Sequence, residues 1–349
     1  QAVAEARSAR YPFSLTTGRL RDQWHGMSRT GTLGQLFGHV SEPAVQLNPQ
    51  DMTQRQLKEG DLVHLTSLRG SVLVPVQASR EVGLNQAFMA MHWGEEFLSG
   101  QSAQGERLAG VNALTSGAFC PDAKQPELKH TPVKILKAEM PWQLLALAWL
   151  PESQGIAARQ ALQGLMAQFD FATCVPFAST TGNAQGERSG VLFRAANHQA
   201  PEPALLAQIE QLLQLHGPDV LRYTDHKRDQ HRLARLVETE THTALEGFLL
   251  AGDISAQGWI STLLKESLPA HTYGRALLIP GAKPPVPVVS RGQQVCTCFN
   301  VTDLAINAHL ANNKLAPVLQ LASLQASLKC GTNCGSCVPQ LQRMIATLA

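Results

Sequence analysis

Apolar positions along this chain keep two rhythms, and the change from one to the other marks out its parts. Over the first 140 residues the period is two. Leu62-Val-His-Leu-Thr-Ser67 and Ser71-Val-Leu-Val-Pro-Val76 alternate apolar and polar side chains, and Leu68-Arg-Gly70 between them reads as the turn of a hairpin. Tyr11-Pro-Phe-Ser-Leu15 predicts a further short strand and Asn48-Pro-Gln-Asp51 a short helix. Strands with one half-buried face predict an all-β barrel over residues 1–140 rather than a doubly wound sheet. Neither a G-x-G-x-x-G nor a Walker sequence occurs, so a Rossmann or P-loop nucleotide site has no support.

Beyond residue 140 the rhythm mixes. Residues 155–168, 203–215 and 257–268 have helical spacing, while 171–177, 190–194, 220–224, 231–237 and 244–252 read as strands, the last three as a meander. Residues 141–280 are therefore expected to form an α+β domain. Met140-Pro-Trp-Gln-Leu-Leu-Ala-Leu-Ala-Trp-Leu150 is far too short to cross a bilayer and reads as a buried segment. Residues 281–292, with Pro284, Pro285 and Pro287, predict a semi-rigid extended linker. The remainder, 293–349, is expected to be a small helical module, with Val338-Pro-Gln-Leu341 opening one of its helices.

Charge and the chain's start narrow the setting. A formal net charge of +2 over 349 residues gives no case for a nucleic-acid or membrane partner. Gln1-Ala-Val-Ala-Glu-Ala-Arg-Ser-Ala-Arg10 lacks an initiator Met and any basic stretch leading into an apolar run. The expectation is a cytoplasmic protein and a piece cut from a longer polypeptide.

The cysteines change the picture most. Five of the seven lie in the last part of the chain: Cys296 and Cys298 as a C-x-C pair, then Cys330, Cys334 and Cys337. Two close thiol pairs brought together across a helical spacer make a four-sulfur cage for a soft metal centre. Structural zinc also takes four cysteines, although its usual knuckles are C-x2-4-C at both ends, and disulfides would require an oxidising compartment. An iron-sulfur cluster accounts for more. Gly331, Gly335 and Ser336 let backbone N–H groups turn inward, and the helix from Val338 aims its positive end at the same charge.

Cys296-Thr-Cys298 followed by Cys334-Gly-Ser-Cys337 resembles the small helical 2Fe-2S module of bacterioferritin-associated ferredoxin, also found as a tail on nitrite and nitrate assimilation enzymes. That resemblance implies Cys296, Cys298, Cys334 and Cys337 as ligands. Cys330 is then spare, and spacing alone leaves an exchange between it and Cys334 open.

A second resemblance rests on the opening region. Thr16-Thr-Gly-Arg-Leu-Arg-Asp-Gln-Trp-His-Gly-Met-Ser-Arg-Thr-Gly31 is dense in hydroxyls, guanidinium groups and glycines, the groups that hold phosphates and purine edges. Together with Phe88-Met-Ala-Met-His-Trp93, Asn112-Ala-Leu-Thr115 and Pro126-Glu-Leu-Lys129, it resembles the C-terminal molybdopterin-guanine-dinucleotide-binding domain of the molybdenum oxidoreductases, a double-psi β-barrel. The resemblance implies that Thr17, Gly18, Arg19, Gln23 and His25 wrap the pterin and diphosphate, with Ser28 and Arg29 as further donors. Asn112 and Lys129 would complete the site, and Trp93 would touch the cofactor. No thiol in this domain would ligate molybdenum, so no catalytic residue is implied. The stretch from Arg222 to Leu278 is similar to the small α+β domain that closes flavin-dependent pyridine-nucleotide oxidoreductases, without their flavin fingerprints. His226, His231 and His242, lacking metal-type spacing, read as solvent-facing.

Within the superfamily, the run from Asn112 to Lys129 looks most like cytoplasmic assimilatory nitrate reductase. The implied enzyme reduces nitrate to nitrite at a molybdenum held by molybdopterin guanine dinucleotide. A 4Fe-4S cluster would sit in an absent N-terminal portion, and the 2Fe-2S tail would receive electrons from a reductase subunit or ferredoxin; the fragment alone would be inactive. Two alternatives stand: another molybdopterin enzyme, such as a formate dehydrogenase or a periplasmic-type nitrate reductase, and a non-enzymatic iron-sulfur carrier.

Overall fold

A computed structural model describes residues 3–102, 104–127, 130–178, 188–313 and 315–348. The first region holds β1 (Phe13–Gly18), β2 (Val45–Leu47), α1 (Pro49–Gln54), β3 (Leu62–Thr66), β4 (Gly70–Ala78), β5 (Gln86–Ala90), β6 (Ser99–Ser102), β7 (Arg107–Ala109) and β8 (Thr131–Lys137). They form an eight-stranded sheet in the order β2-β5-β1-β8-β3-β4-β6-β7, and a further pairing of β2 with β4 closes the first six into a ring. Closure removes the open edges that a free sheet would present. Two of the ring's pairings, β1 with β5 and β2 with β4, are parallel. The alternation read from sequence is realised on β1, where Phe13, Leu15 and Thr17 point inward. The expected hairpin is β3 and β4, paired antiparallel.

The second region contains β9 (Trp142–Pro151), α2 (Glu152–Leu165), β10 (Phe171–Phe177), β11 (Arg188–Asn197), α3 (Pro203–Leu212), β12 (Val220–Asp225), β13 (Gln230–Glu238), β14 (Thr243–Ala251) and α4 (Gln257–Lys265). Its strands make a six-stranded sheet ordered β10-β11-β9-β14-β13-β12. The segment read only as buried, Trp142 to Leu150, is strand β9, flanked by β11 and β14. Leu144, Ala146, Ala148 and Leu150 pack beneath α2 and α3, while Leu145, Leu147 and Trp149 join the core that runs on into the barrel. A strand buried on both faces carries no period-two signature, which is why its pattern did not disclose it. His231 departs from the solvent-facing expectation: its Nε2 meets Glu210 Oε1 at 2.8 Å and the side chain is 12% exposed.

The last region has β15 (Gln294–Cys296), β16 (Val301–Thr302), α5 (Asp303–Asn312), α6 (Pro317–Leu328) and α7 (Val338–Leu348) around Val295, Ile306, Leu310, Leu324, Leu341 and Ile345. Thr302 caps α5 by accepting the Ala305 N–H. The proline-rich stretch before it contains no helix or strand, but it is clipped to the second region. Gly281 N–H donates to Asp253 Oδ2 at 2.8 Å, Trp259 Nε1 to the Ala282 carbonyl at 3.1 Å, and Ser290 Oγ to Glu266 Oε1 at 3.0 Å.

Barrel and second sheet are also joined by charge. Glu42, in the turn before β2, accepts from Arg194 Nε at 2.6 Å and Nη2 at 3.0 Å, and Arg194 Nη1 donates to Gln257 Oε1 at 2.8 Å. Burial pushes the Glu42 carboxyl up, but the Arg194 guanidinium outweighs it and holds the group below its ordinary value of 4.5. Because the folded value is the lower one, the clamp is at full strength above pH 4.5 and fades as pH falls through the lowered value. Glu42→Gln should cost about 2 kcal/mol, at the low end for a buried pair because both side chains keep some solvent, and should flatten this acid dependence in thermal unfolding.

Candidate functional site

The parallel pairing of β1 with β5 sets Gly18 opposite Ala90, so both strands end at the same rim of the barrel and their loops leave side by side. The Met91 N–H donates to the Gly18 carbonyl at 2.9 Å, which carries the pairing one residue further. Next comes His92, 1% exposed, whose Nε2 accepts the Leu20 N–H at 2.9 Å. That bond puts the ring's proton on Nδ1, which donates to the carbonyl of His25. One neutral imidazole thus closes the loop between residues 20 and 25. Burial holds its pKa below 6.5 against the opposing pull of the His25 carbonyl.

The loop needs such a staple. His25 and Met27 have φ of 44° and 60°, a left-handed backbone that costs free energy for residues with a Cβ. Further in, the Gln23 amide donates to the Leu36 carbonyl at 3.2 Å, and Arg159 of α2 crosses from the second region to donate to the Gly31 carbonyl.

The expected donors divide into two groups. Arg19, His25, Ser28 and Arg29 are exposed on the loop, and the Arg19 guanidinium lies 5.1 Å from the centre of the Trp24 ring, itself 49% exposed. Asn112 is exposed on the short helical turn Gly110–Ala113. That turn packs onto the Trp93 carbonyl so tightly that a Cβ at Gly110 would fall 1.8 Å from it, with φ at +34°. Gly18 is half-buried, whereas Thr17 and Gln23 are 6% and 3% exposed and face inward. Trp93 corrects the expectation of a cofactor contact: at 1% exposure its ring is enclosed by Phe37 and Phe97, with centroids at 6.3 and 5.8 Å. Lys129 lies outside the described residues. A cavity of about 750 Å³ lined by His64, Arg107 and His198 contains none of the expected donors. Sequence reasoning gave His92 no role of its own; that role depends on which backbone groups it meets.

In the last region the thiols pair across the two motifs. Cys298 Sγ lies 3.3 Å from Cys334 Sγ, both exposed, and Cys337 shares a hydrogen bond with Cys296, each 2% exposed. The Ser336 hydroxyl and N–H hold Cys334 below the ordinary thiol value, while burial and the neighbouring Cys296 push Cys337 up to about 12. Cys330 is fully buried and its thiol faces the Leu324 carbonyl at 3.8 Å. Among the described residues no group of three or more His, Cys, Asp or Glu side chains is placed to hold one ion. Two sulfide-bridged irons ask for two thiolates each, and the crossed pairs supply four thiols. Gly331 and Gly335, at φ 83° and 73°, make the turns around them.

The two candidate sites touch. Arg21, on the barrel loop, donates from Nη1 to Gln340 Oε1 at 2.7 Å and from Nη2 to the carbonyl of Val295, beside Cys296.

Residues 13–132 match the family described as the Molydopterin dinucleotide binding domain, and residues 294–347 the BFD-like 2Fe-2S binding domain. The chain carries both domains. A nitrate reductase from Klebsiella oxytoca is 27% identical over 349 residues, covering 99% of this chain and 35% of that protein. A nitrate reductase from Synechocystis sp. is 38% identical over 135 residues, 39% of this chain and 18% of its own. The F420-dependent formate dehydrogenase subunit alpha of Methanocaldococcus jannaschii is 32% identical over 133 residues, 38% and 18% of the two chains. The chain thus spans about a third of the first relative's length, and the matches to the other two span less. No helix among the described residues is long and apolar enough to cross a membrane.

His92→Phe should keep the packing and lose both loop hydrogen bonds, loosening the molybdopterin-domain loop by about 1–3 kcal/mol, read as faster amide exchange at Leu20. In the wild type, protection should be complete above pH 6.5 and fall as pH drops toward the lowered folded value, because the opened loop takes up the proton first. A variant with wild-type exchange at every pH would remove the staple's role.

Proposed function

We propose that this chain is the C-terminal part of an assimilatory nitrate reductase that reduces nitrate to nitrite in the cytoplasm, with a 2Fe-2S module bringing electrons to a molybdopterin guanine dinucleotide site. The observation that carries this reading is the seating of the cluster module on the barrel loop through Arg21, within two residues of Arg19 and Gln23. A carrier whose barrel merely packs has no use for that juxtaposition. The match along 99% of this chain, at 27% identity, to about a third of a nitrate reductase supports the choice of substrate.

On this reading the domains are 1–140, 141–280 and 293–349, joined by the linker 281–292, and the barrel is of the double-psi kind. The exposed groups Arg19, His25, Ser28, Arg29 and Asn112 hold phosphate and purine edges of the dinucleotide by charge-assisted hydrogen bonds. Thr17, Gly18 and Gln23 shape the loop from beneath. Cys296, Cys298, Cys334 and Cys337 would hold the cluster, and the exposed Cys298 and Cys334 mark the side from which an electron-donating reductase subunit or ferredoxin would approach. A bridged 2Fe-2S cluster supplies one-electron storage in that place. Molybdenum's protein ligand and a 4Fe-4S cluster belong to an N-terminal portion of the enzyme, and the middle domain acts as a packing module. The second reading is a formate dehydrogenase, favoured by the match of the barrel region to that enzyme's subunit.

Purified under argon, the chain should hold about two irons and two sulfides and no zinc. Cys334→Ser or Cys337→Ser should abolish or shift the visible absorption and EPR signal, whereas Cys174→Ser, at a buried thiol raised to about 12, should leave both intact. Zinc in place of iron and sulfide would end the electron-transfer reading. The full-length enzyme should turn over nitrate and not formate; the reverse selects the formate dehydrogenase.

A further inference from the structure

The contact between the barrel loop and the thiol cage is more selective than packing requires. Asp22 Oδ2 accepts the Thr297 hydroxyl at 2.9 Å and Arg21 Nε at 3.2 Å, and Oδ1 accepts the Ser336 hydroxyl at 3.3 Å. Thr297 is the residue between Cys296 and Cys298. Ser336 immediately precedes Cys337, and its Oγ also meets Cys334 Sγ at 3.2 Å. A carboxylate whose side chain is 7% exposed therefore ties the C-x-C turn to the C-x-x-C turn. Burying a carboxylate is unfavourable unless its lone pairs are answered. Here a guanidinium and two hydroxyls answer them, and both hydroxyls belong to thiol-bearing turns.

We propose that Asp22, a residue of the molybdopterin-domain loop, is a positioning residue for the 2Fe-2S site of the last domain. It fixes the spacing of the two thiol turns and sets one negative charge beside the cluster from the pterin side. This rests on the reading that the module carries a 2Fe-2S cluster. Its two contributions separate by substitution. Asp22→Ala removes both the acceptor oxygens and the charge, while Asp22→Asn keeps one acceptor oxygen and removes the charge. Loss of the charge alone makes addition of an electron easier, so the potential should move to a more positive value.

The test compares wild-type and variant full chains under argon, following iron release to a chelator by the loss of visible absorption and the midpoint potential by EPR-monitored titration. Asp22→Ala should release iron about tenfold faster than wild type, and Asp22→Asn should hold its cluster within about twofold of wild type but titrate more positive. Folded Asp22→Ala with wild-type release and potential would overturn the proposal. If that variant fails to fold, Thr297→Val decides, since it leaves Asp22, Arg21 and the contact of Ser336 with Cys334 in place: faster release sustains the proposal and unchanged release sinks it. A wild-type chain without iron and sulfide sinks the cluster reading itself, whereas a loaded wild type with indifferent variants sinks only the role of Asp22.

Discussion

The protein's arrangement depends on an imidazole that must stay uncharged. His92 uses one ring nitrogen to accept from Leu20 and the other to donate to His25, so a second proton would turn the acceptor into a donor facing a donor. That small constraint shapes the strip of chain from residue 19 to 31, which carries most of the exposed polar groups of the barrel rim. It also sets where the strip can be gripped from outside, by Arg159 from the second region at one end and by Gln340 and the Val295 carbonyl at the other. Three parts of the fold therefore meet on one loop, each through a hydrogen bond whose geometry the others help to set.

The scaffold beneath is stiff for a different reason. The ring of six strands has no free edge along its circuit, and the second sheet presents one face to α2 and α3 and the other to a core continuous with the barrel. Phe177 shows the continuity: a Cβ on Gly34 of the first region would fall 2.5 Å from its carbonyl, and its ring meets Trp149 edge-on at 4.5 Å. A wall shared in this way resists rotation of one part against the other better than two separately closed cores joined by a tether. The proline-rich segment, fastened near both ends to the second region, extends that stiffness toward the cysteine-bearing end.

Much of this was legible beforehand where local pattern and chemistry agree. The alternation of Phe13, Leu15 and Thr17, the hairpin at residues 62–76 and the meander at 220–252 follow from side-chain period alone, and the cysteine spacing points to a four-sulfur cage. What escaped has physical reasons. Strand β9 hides because burial on both faces erases alternation. Trp93 was expected at a ligand because an aromatic beside a histidine at a strand end can serve either purpose, and only the surrounding Phe37 and Phe97 decide. His231 looked like a surface charge until Glu210, 21 positions earlier, came beside it. Which thiol partners which is a matter of three-dimensional crossing, and no spacing within a single motif encodes it.

The contacts of Asp22 also impose an order of assembly. Its partners Thr297 and Ser336 stand 275 and 314 positions downstream. At ribosomal speeds of about 5–20 residues per second, the loop waits roughly 15–60 s after emerging before it can be finished. Throughout that interval the rim of the barrel is held by His92 but uncovered on the side the tail will occupy, and afterwards that side alone is covered. The face of the loop beside Arg21 and Asp22 is thus open to solvent early and covered late, while Arg19, His25, Ser28 and Arg29 stay exposed throughout.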